Sequence, residues 1–234
     1  MPRGRRSLTA AAAALAVLVT ACGGSSPPPA SSLTPTPAPT PSPTPGPDSE
    51  MLAVLGTGVG TFDLVAIPVV ILRNQAARHG AAAVIVHFAT SRDGTPLGSV
   101  DSAPVNLAPG ETLAVTADCT DACLNPTDVS PTPAVGSWVT TPGPSLTGGA
   151  GSYSCPGCGG GHAHGDVSGT LSTGQLGAGT PVVVFADCKA GDGRIVGGGS
   201  RQLPWPGGPS SSVDVAVLVN EPPAACELSA STGW

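Results

Sequence analysis

The chain is short of the residues from which most recognition surfaces are built. Seven of its 234 residues are aromatic: Phe62, Phe88, Phe185, Tyr153, Trp138, Trp205 and Trp234. That is too few for the clustered exposed rings of a sugar-binding face. Charged residues make up 10% of the chain. Three of the nine basic residues, Arg3, Arg5 and Arg6, sit in the first six positions, and beyond them six basic residues face fifteen acidic ones, a formal charge of −9. No basic stripe remains to neutralise phosphates, which argues against nucleic acid as a partner. The apolar run from Leu8 to Val19 falls short of the ~20 residues that a membrane-spanning helix needs. No Gly-x-Ser-x-Gly elbow and no paired-carboxylate motif occurs, so nothing in the sequence supports an enzyme. His79 and His87 have no catalytic partners near them in sequence, and His87 reads as a structural residue of an apolar strand.

What the chain has in abundance is glycine and proline, 33 and 27 residues. Short Val/Ile/Leu/Thr runs recur between Gly, Pro, Asp and Asn, while helix formers with interspersed charge are scarce. This pattern predicts an all-β fold. Gly56-Thr57-Gly58-Val59-Gly60 comes after an apolar run, but the last glycine of a dinucleotide fingerprint is replaced by Thr61, and Pro68 interrupts the next stretch. A loop or a glycine-rich strand is expected there.

The basic start, the apolar stretch and the segment Val19-Thr20-Ala21-Cys22 read as a signal peptide over residues 1–21. Its end resembles the bacterial lipobox. That resemblance implies export, cleavage before Cys22, a thioether from Cys22 to diacylglycerol with further acylation such as palmitate, and attachment to the outer face of the cell membrane. Several acyl chains, at ~0.8 kcal/mol per buried methylene, make such an anchor stable. Arg5-Arg6-Ser7-Leu8 partly resembles a twin-arginine signal, so both export routes stay open. Residues 22–50 alternate Pro with Thr, Ser and Ala, a composition that favours disordered polyproline II. At ~3.1 Å per residue this tether reaches on the order of 85 Å. Its threonines suit O-linked sugars as well as a bare spacer would.

Residues 51–234 contain an internal repeat. Ala83–Phe88 and Pro181–Phe185 are apolar runs ending in phenylalanine. After each comes Asp-Gly, at Asp93-Gly94 and Asp192-Gly193, then a glycine strand, a Pro/Gly corner and an alternating strand, Leu113–Ala117 and Val213–Val219. The offsets of 97, 99 and 100 residues between these landmarks point to two tandem β-domains, 51–125 and 155–234, joined by a Pro/Gly-rich linker at 126–154. Through Phe88, Asp93-Gly94, Gly98 and Leu107-Ala108-Pro109-Gly110, and less fully through Phe185, Asp192-Gly193 and Gly197, the order of elements resembles the FxLyD-type Ig-like domains of bacterial surface lipoproteins. The resemblance implies two small antiparallel Ig-like β-sandwich domains without catalytic residues. It also implies a binding, adhesion or scaffolding role toward an envelope protein or ligand.

Besides Cys22 there are six cysteines, Cys119, Cys123, Cys155, Cys158, Cys188 and Cys226. In an exported β-protein an even number reads as disulfides, with 15 possible pairings. Cys188 and Cys226 come after two strands of the second half and suggest a staple; the other four can close locally or join each other. Cys155-Pro156-Gly157-Cys158 and the nearby His162 and His164 form the alternative site, a soft set suited to zinc or copper. A thioredoxin-like role would need a helix after the second cysteine, and here glycines occupy that place. No cofactor is otherwise implied.

Overall fold

The computed structural model describes residues 51–120, 123–156, 158, 163–174 and 176–233. Cys22, the signal peptide and the tether lie outside the described residues, as does His162. Among the described residues the chain is all β, with fifteen strands and no α-helix.

β1 (Leu52–Phe62) and β2 (Val65–Asn74) form a hairpin across Asp63 and Leu64, with Asp63 at φ 53°. β3 (Gly80–Arg92) turns into β4 (Thr95–Asp101) through Asp93-Gly94. Both turn residues have positive φ, 51° and 77°, which matches the twist of the flanking strands and explains why Asp-Gly stands there. β5 (Val105–Leu107) and β6 (Thr112–Thr116) flank the Ala108–Glu111 turn. β7 (Cys119–Thr120) adds to β2. β8 (Asp128–Ala134) and β9 (Ser137–Val139) both pair with β3, so the stretch read as a linker carries sheet structure. Val70 and Leu72 of β2 and Leu113 and Val115 of β6 share one core with Val84, Val86 and Phe88 of β3. The alternation of β3 is what points these three residues the same way. β8 presents Pro131 and Pro133 opposite Phe88 and Val86, where the missing donors suit an edge strand.

The remaining strands are β10 (Ala150–Ser154), β11 (Ala163–Ser172), β12 (Pro181–Lys189), β13 (Ile195–Pro204), β14 (Ser210–Val219) and β15 (Ala225–Thr232). They run in the order β12-β15-β10-β11-β14-β13, and β13 pairs back onto β12. This half is therefore a closed six-stranded barrel, where the sequence led us to expect a two-sheet sandwich. The cause is β12, which is hydrogen-bonded along its length on both sides, to β13 and to β15. Closure removes the edges that a sandwich would leave open.

Val184, Ala186 and Cys188 of β12, Val215 and Val217 of β14 and Leu228 of β15 fill the barrel. In so narrow a barrel the bulkier side chains need gaps opposite them. A Cβ at Gly165 would overlap the ring of Tyr153.

The two halves share a sheet and a core. β1 runs parallel to β13 at Gly58↔Ile195. Asn220 fastens the contact, its amide donating to the Val59 carbonyl at 2.7 Å and its Oδ1 accepting from the Thr61 N–H at 2.8 Å. Side chains at Gly58 and Gly60 would overlap Ile195 and the Leu218 carbonyl, so these glycines serve the close approach of two strands. The repeat partners Phe88 and Phe185 meet in the same core from opposite sides. Phe185 lies on the outward face of β12, opposite in parity to Val184 and Ala186. Asp192-Gly193 likewise sits in a longer loop closed by Ala190 N–H to Arg194 O at 2.8 Å, not in a two-residue turn.

Candidate functional site

All six cysteines beyond Cys22 come together in pairs at disulfide distance: Cys119 with Cys123, Cys155 with Cys158, and Cys188 with Cys226. The last pair is the predicted staple. Cys188 and Cys226 are directly opposite each other on β12 and β15, with Cα atoms 4.1 Å apart. The other four close locally, so the alternative of a cross-link between them is not what the structure contains.

Of the residues suggested for zinc or copper, Cys155 and Cys158 are brought together, and His164 reaches them through its backbone. Its carbonyl oxygen lies 3.1 Å from Cys155 Sγ and 3.8 Å from Cys158 Sγ. The His164 ring packs edge-on against Phe62, with centroids 4.2 Å apart. Two cysteines bonded to each other have no thiolate to offer a metal. Among the described residues no group of three or more His, Cys, Asp or Glu is arranged to hold an ion.

A cavity of about 540 Å³ lies against the outer face of the barrel. Its walls are the Ala108–Thr112 turn and the Ser145–Ala150 segment, and Asp187 of β12 with Glu227 and Ser229 of β15 face it. Asn74 holds the Ala108–Thr112 wall in place from behind. Fully buried at the end of β2, its amide donates to the carbonyls of His79, Leu107 and Ala108 at 2.9, 3.2 and 3.1 Å. Its own backbone holds the turn, accepting from Gly110 N–H and donating to the Glu111 carbonyl. Ser229 Oγ closes the seam by accepting from Ala114 N–H at 3.0 Å.

Three carboxylates therefore line one concave surface. Burial raises the pKa of Glu111 to about 7, with the Ala108 N–H that its carboxylate accepts pulling the other way. Burial also pushes the Asp187 carboxyl up, and Lys189 only partly offsets this. Asp187 is 4% exposed. Lys189, the only lysine of the chain, stands 3.3 Å from Asp187 and donates to Glu227 at 2.7 Å. Sequence reading missed these residues because they are scattered over 117 positions. The one available signal was Asp187 itself, a carboxylate inside the apolar run Pro181–Cys188.

These shifts bear on stability. Glu111 titrates near pH 4.5 when unfolded and near 7 when folded, so its protonated form favours the folded state. That contribution is fully present below about pH 4.5 and is lost as pH rises through 7. Asp187 acts in the same direction. We expect urea unfolding to show about 2 to 3 kcal/mol less stability at pH 8 than at pH 4.5 from Glu111. Glu111→Gln should flatten the profile across this window; an unchanged profile in the variant would assign the dependence to another group.

His87, read from the sequence as a structural residue of an apolar strand, lies on β3 with its side chain exposed. Its Nδ1 lies 2.7 Å from Asp101 Oδ1 on β4, and Thr132 on β8 is its cross-strand neighbour on the other side. All three are exposed on the sheet face, away from the cavity. The chain matches no family model and no curated protein.

Proposed function

We propose that the chain is a cell-envelope lipoprotein, acylated at Cys22 on the outer face of the cell membrane, that displays a non-catalytic binding, adhesion or scaffolding module on its proline-rich tether. The observation that carries this reading is the account of the cysteines. Six of the seven find partners at disulfide distance, which fits a compartment where thiols are oxidised. The seventh is Cys22, the lipobox position. The first half fits an Ig-like sandwich of the FxLyD kind, with Phe88 in its core and Asp93-Gly94 and Ala108–Glu111 as its turns. The cavity lined by Glu111, Asp187 and Glu227 is the concave site that this reading assigns to a ligand.

The test is acylation. Cells expressing the full chain are labelled with radioactive palmitate and fractionated. The protein should carry label and partition into detergent, and Cys22→Ser should lose both properties. A wild-type protein released in soluble, unlabelled form after cleavage would overturn the reading.

A further inference from the structure

The three cysteine pairs differ in access. Cys119, Cys123, Cys188 and Cys226 are at most 3% exposed, whereas Cys158 is exposed and Cys155 half-buried. This pair stands in the connection between β10 and β11, where the Cys158 N–H donates to the Cys155 carbonyl at 3.4 Å. Thiol–disulfide exchange needs a thiolate to reach one sulfur in line with the bond. The buried pairs are reached only when the core opens; Cys155–Cys158 is open in the folded state. Its sulfurs are three residues apart, so cutting the bond releases very little chain and leaves the barrel core intact.

The neighbourhood adds a second observation. The His164 carbonyl touches both sulfurs, and the His164 ring packs on Phe62. Phe62 and Leu64, at the tip of the β1–β2 hairpin, are 39% and 53% exposed. Exposed apolar side chains on the hairpin whose Phe62 packs on His164 offer a protein partner a place to dock near the accessible disulfide.

From these two features we propose that Cys155–Cys158 is an exchange site for a dithiol protein that docks on Phe62 and Leu64. A partner thiolate attacks Cys158 Sγ and forms a mixed disulfide. The Cys155–Cys158 bond breaks, and Cys155 leaves with the electron pair and takes a proton from water. The partner's second thiolate then attacks its own sulfur in the mixed disulfide and expels Cys158, which is protonated in turn. The pair ends as two thiols and the partner as a disulfide, a transfer of two electrons. No helix at the cysteine pair is required, because here the chain is the substrate of the exchange. The proposal stands independently of the lipid anchor.

The experiment uses the oxidised full chain in detergent under native conditions. It is treated with dithiothreitol or with reduced thioredoxin, quenched with iodoacetamide and mapped by peptide mass spectrometry. Cys155 and Cys158 should be labelled at least tenfold faster than the other four, with the circular dichroism of the β-fold unchanged. Equal labelling of all six, or none at Cys155 and Cys158 in the folded protein, would overturn the proposal. Phe62→Asp with Leu64→Asp should slow thioredoxin at least fivefold and leave the dithiothreitol rate as it was. Equal slowing of both reagents, or of neither, would remove the docking surface from it.

Discussion

Replacing Cys188 and Cys226 together by alanine is expected to lower the stability of the folded region by about 4 kcal/mol, the chain-entropy value for a loop of this size. The pair spans 38 residues, including all of β13 and β14, and freeing that loop returns its conformational entropy to the unfolded chain. Cys188 also lies inside the barrel, so the lost sulfurs leave space that the strands cannot fully refill. The comparison that gives the number meaning is the double alanine variant of Cys119 and Cys123. That pair closes only four residues, and its loss should cost roughly 2 kcal/mol on the same basis. Urea unfolding of both variants, monitored by tryptophan fluorescence, reads the difference. Trp205 is buried at the end of β13 and donates its indole N–H to the Gly208 carbonyl, so it reports on the barrel. Should the two variants unfold at the same midpoint, loop size does not govern how these cross-links act.

Asn74→Ala should be nearly as damaging, for a different reason. The two amide hydrogens of Asn74 are shared among three carbonyls, and its Oδ1 accepts from Ala76 N–H at 3.0 Å. A buried polar group left without its partner costs about 1–3 kcal/mol. Losing this hub should therefore destabilise the fold by about 3 kcal/mol or more. Asn74→Asp keeps the acceptor but turns a negative charge toward carbonyl oxygens, so it should do no better. The effect reaches the cavity, because Asn74 holds the turn that carries Glu111. In Asn74→Ala the turn loosens, Glu111 gains water, and its pKa should fall from about 7 toward that of an ordinary glutamate. An NMR pH titration of the Glu111 side chain measures this. A pKa that stays near 7 in the variant would mean that the Asn74 hydrogen bonds do not set the position of the turn.

These two sites differ in how far they could be read from the residues. The Cys188–Cys226 pair could be suggested, as one of 15 pairings, because both cysteines lie close to strand-like runs of the same half. The structure places them within β12 and β15. The role of Asn74 was not legible, since nothing near it in sequence shows that Leu107 and Ala108, 33 and 34 positions later, would present their carbonyls to its amide. The same contrast runs through the fold. Asp93-Gly94 forms a two-residue hairpin turn because its chemistry is local. The matching Asp192-Gly193 does not; it falls inside the longer Ala190–Arg194 loop between β12 and β13. Phe88 and Phe185 align in sequence, yet a change of strand parity sends one inward from its sheet and the other outward from the barrel.

By itself the sequence determined the all-β character, the acidic and weakly charged composition and the Asp93-Gly94 turn. All of these arise from composition, two-residue periodicity and turn chemistry, which act over a few positions. Only the tertiary structure decided that the second half closes into a barrel, that Gly58 and Gly60 let two strands touch, and that Glu111, Asp187 and Glu227 share a cavity. Those outcomes depend on which strand edges meet far apart in the sequence, as Ala150 meets Glu227 within the barrel and Gly58 meets Ile195 between the halves. Edge pairing is chosen by the summed burial and backbone hydrogen bonding of the whole sheet, a quantity that no short stretch of the chain contains.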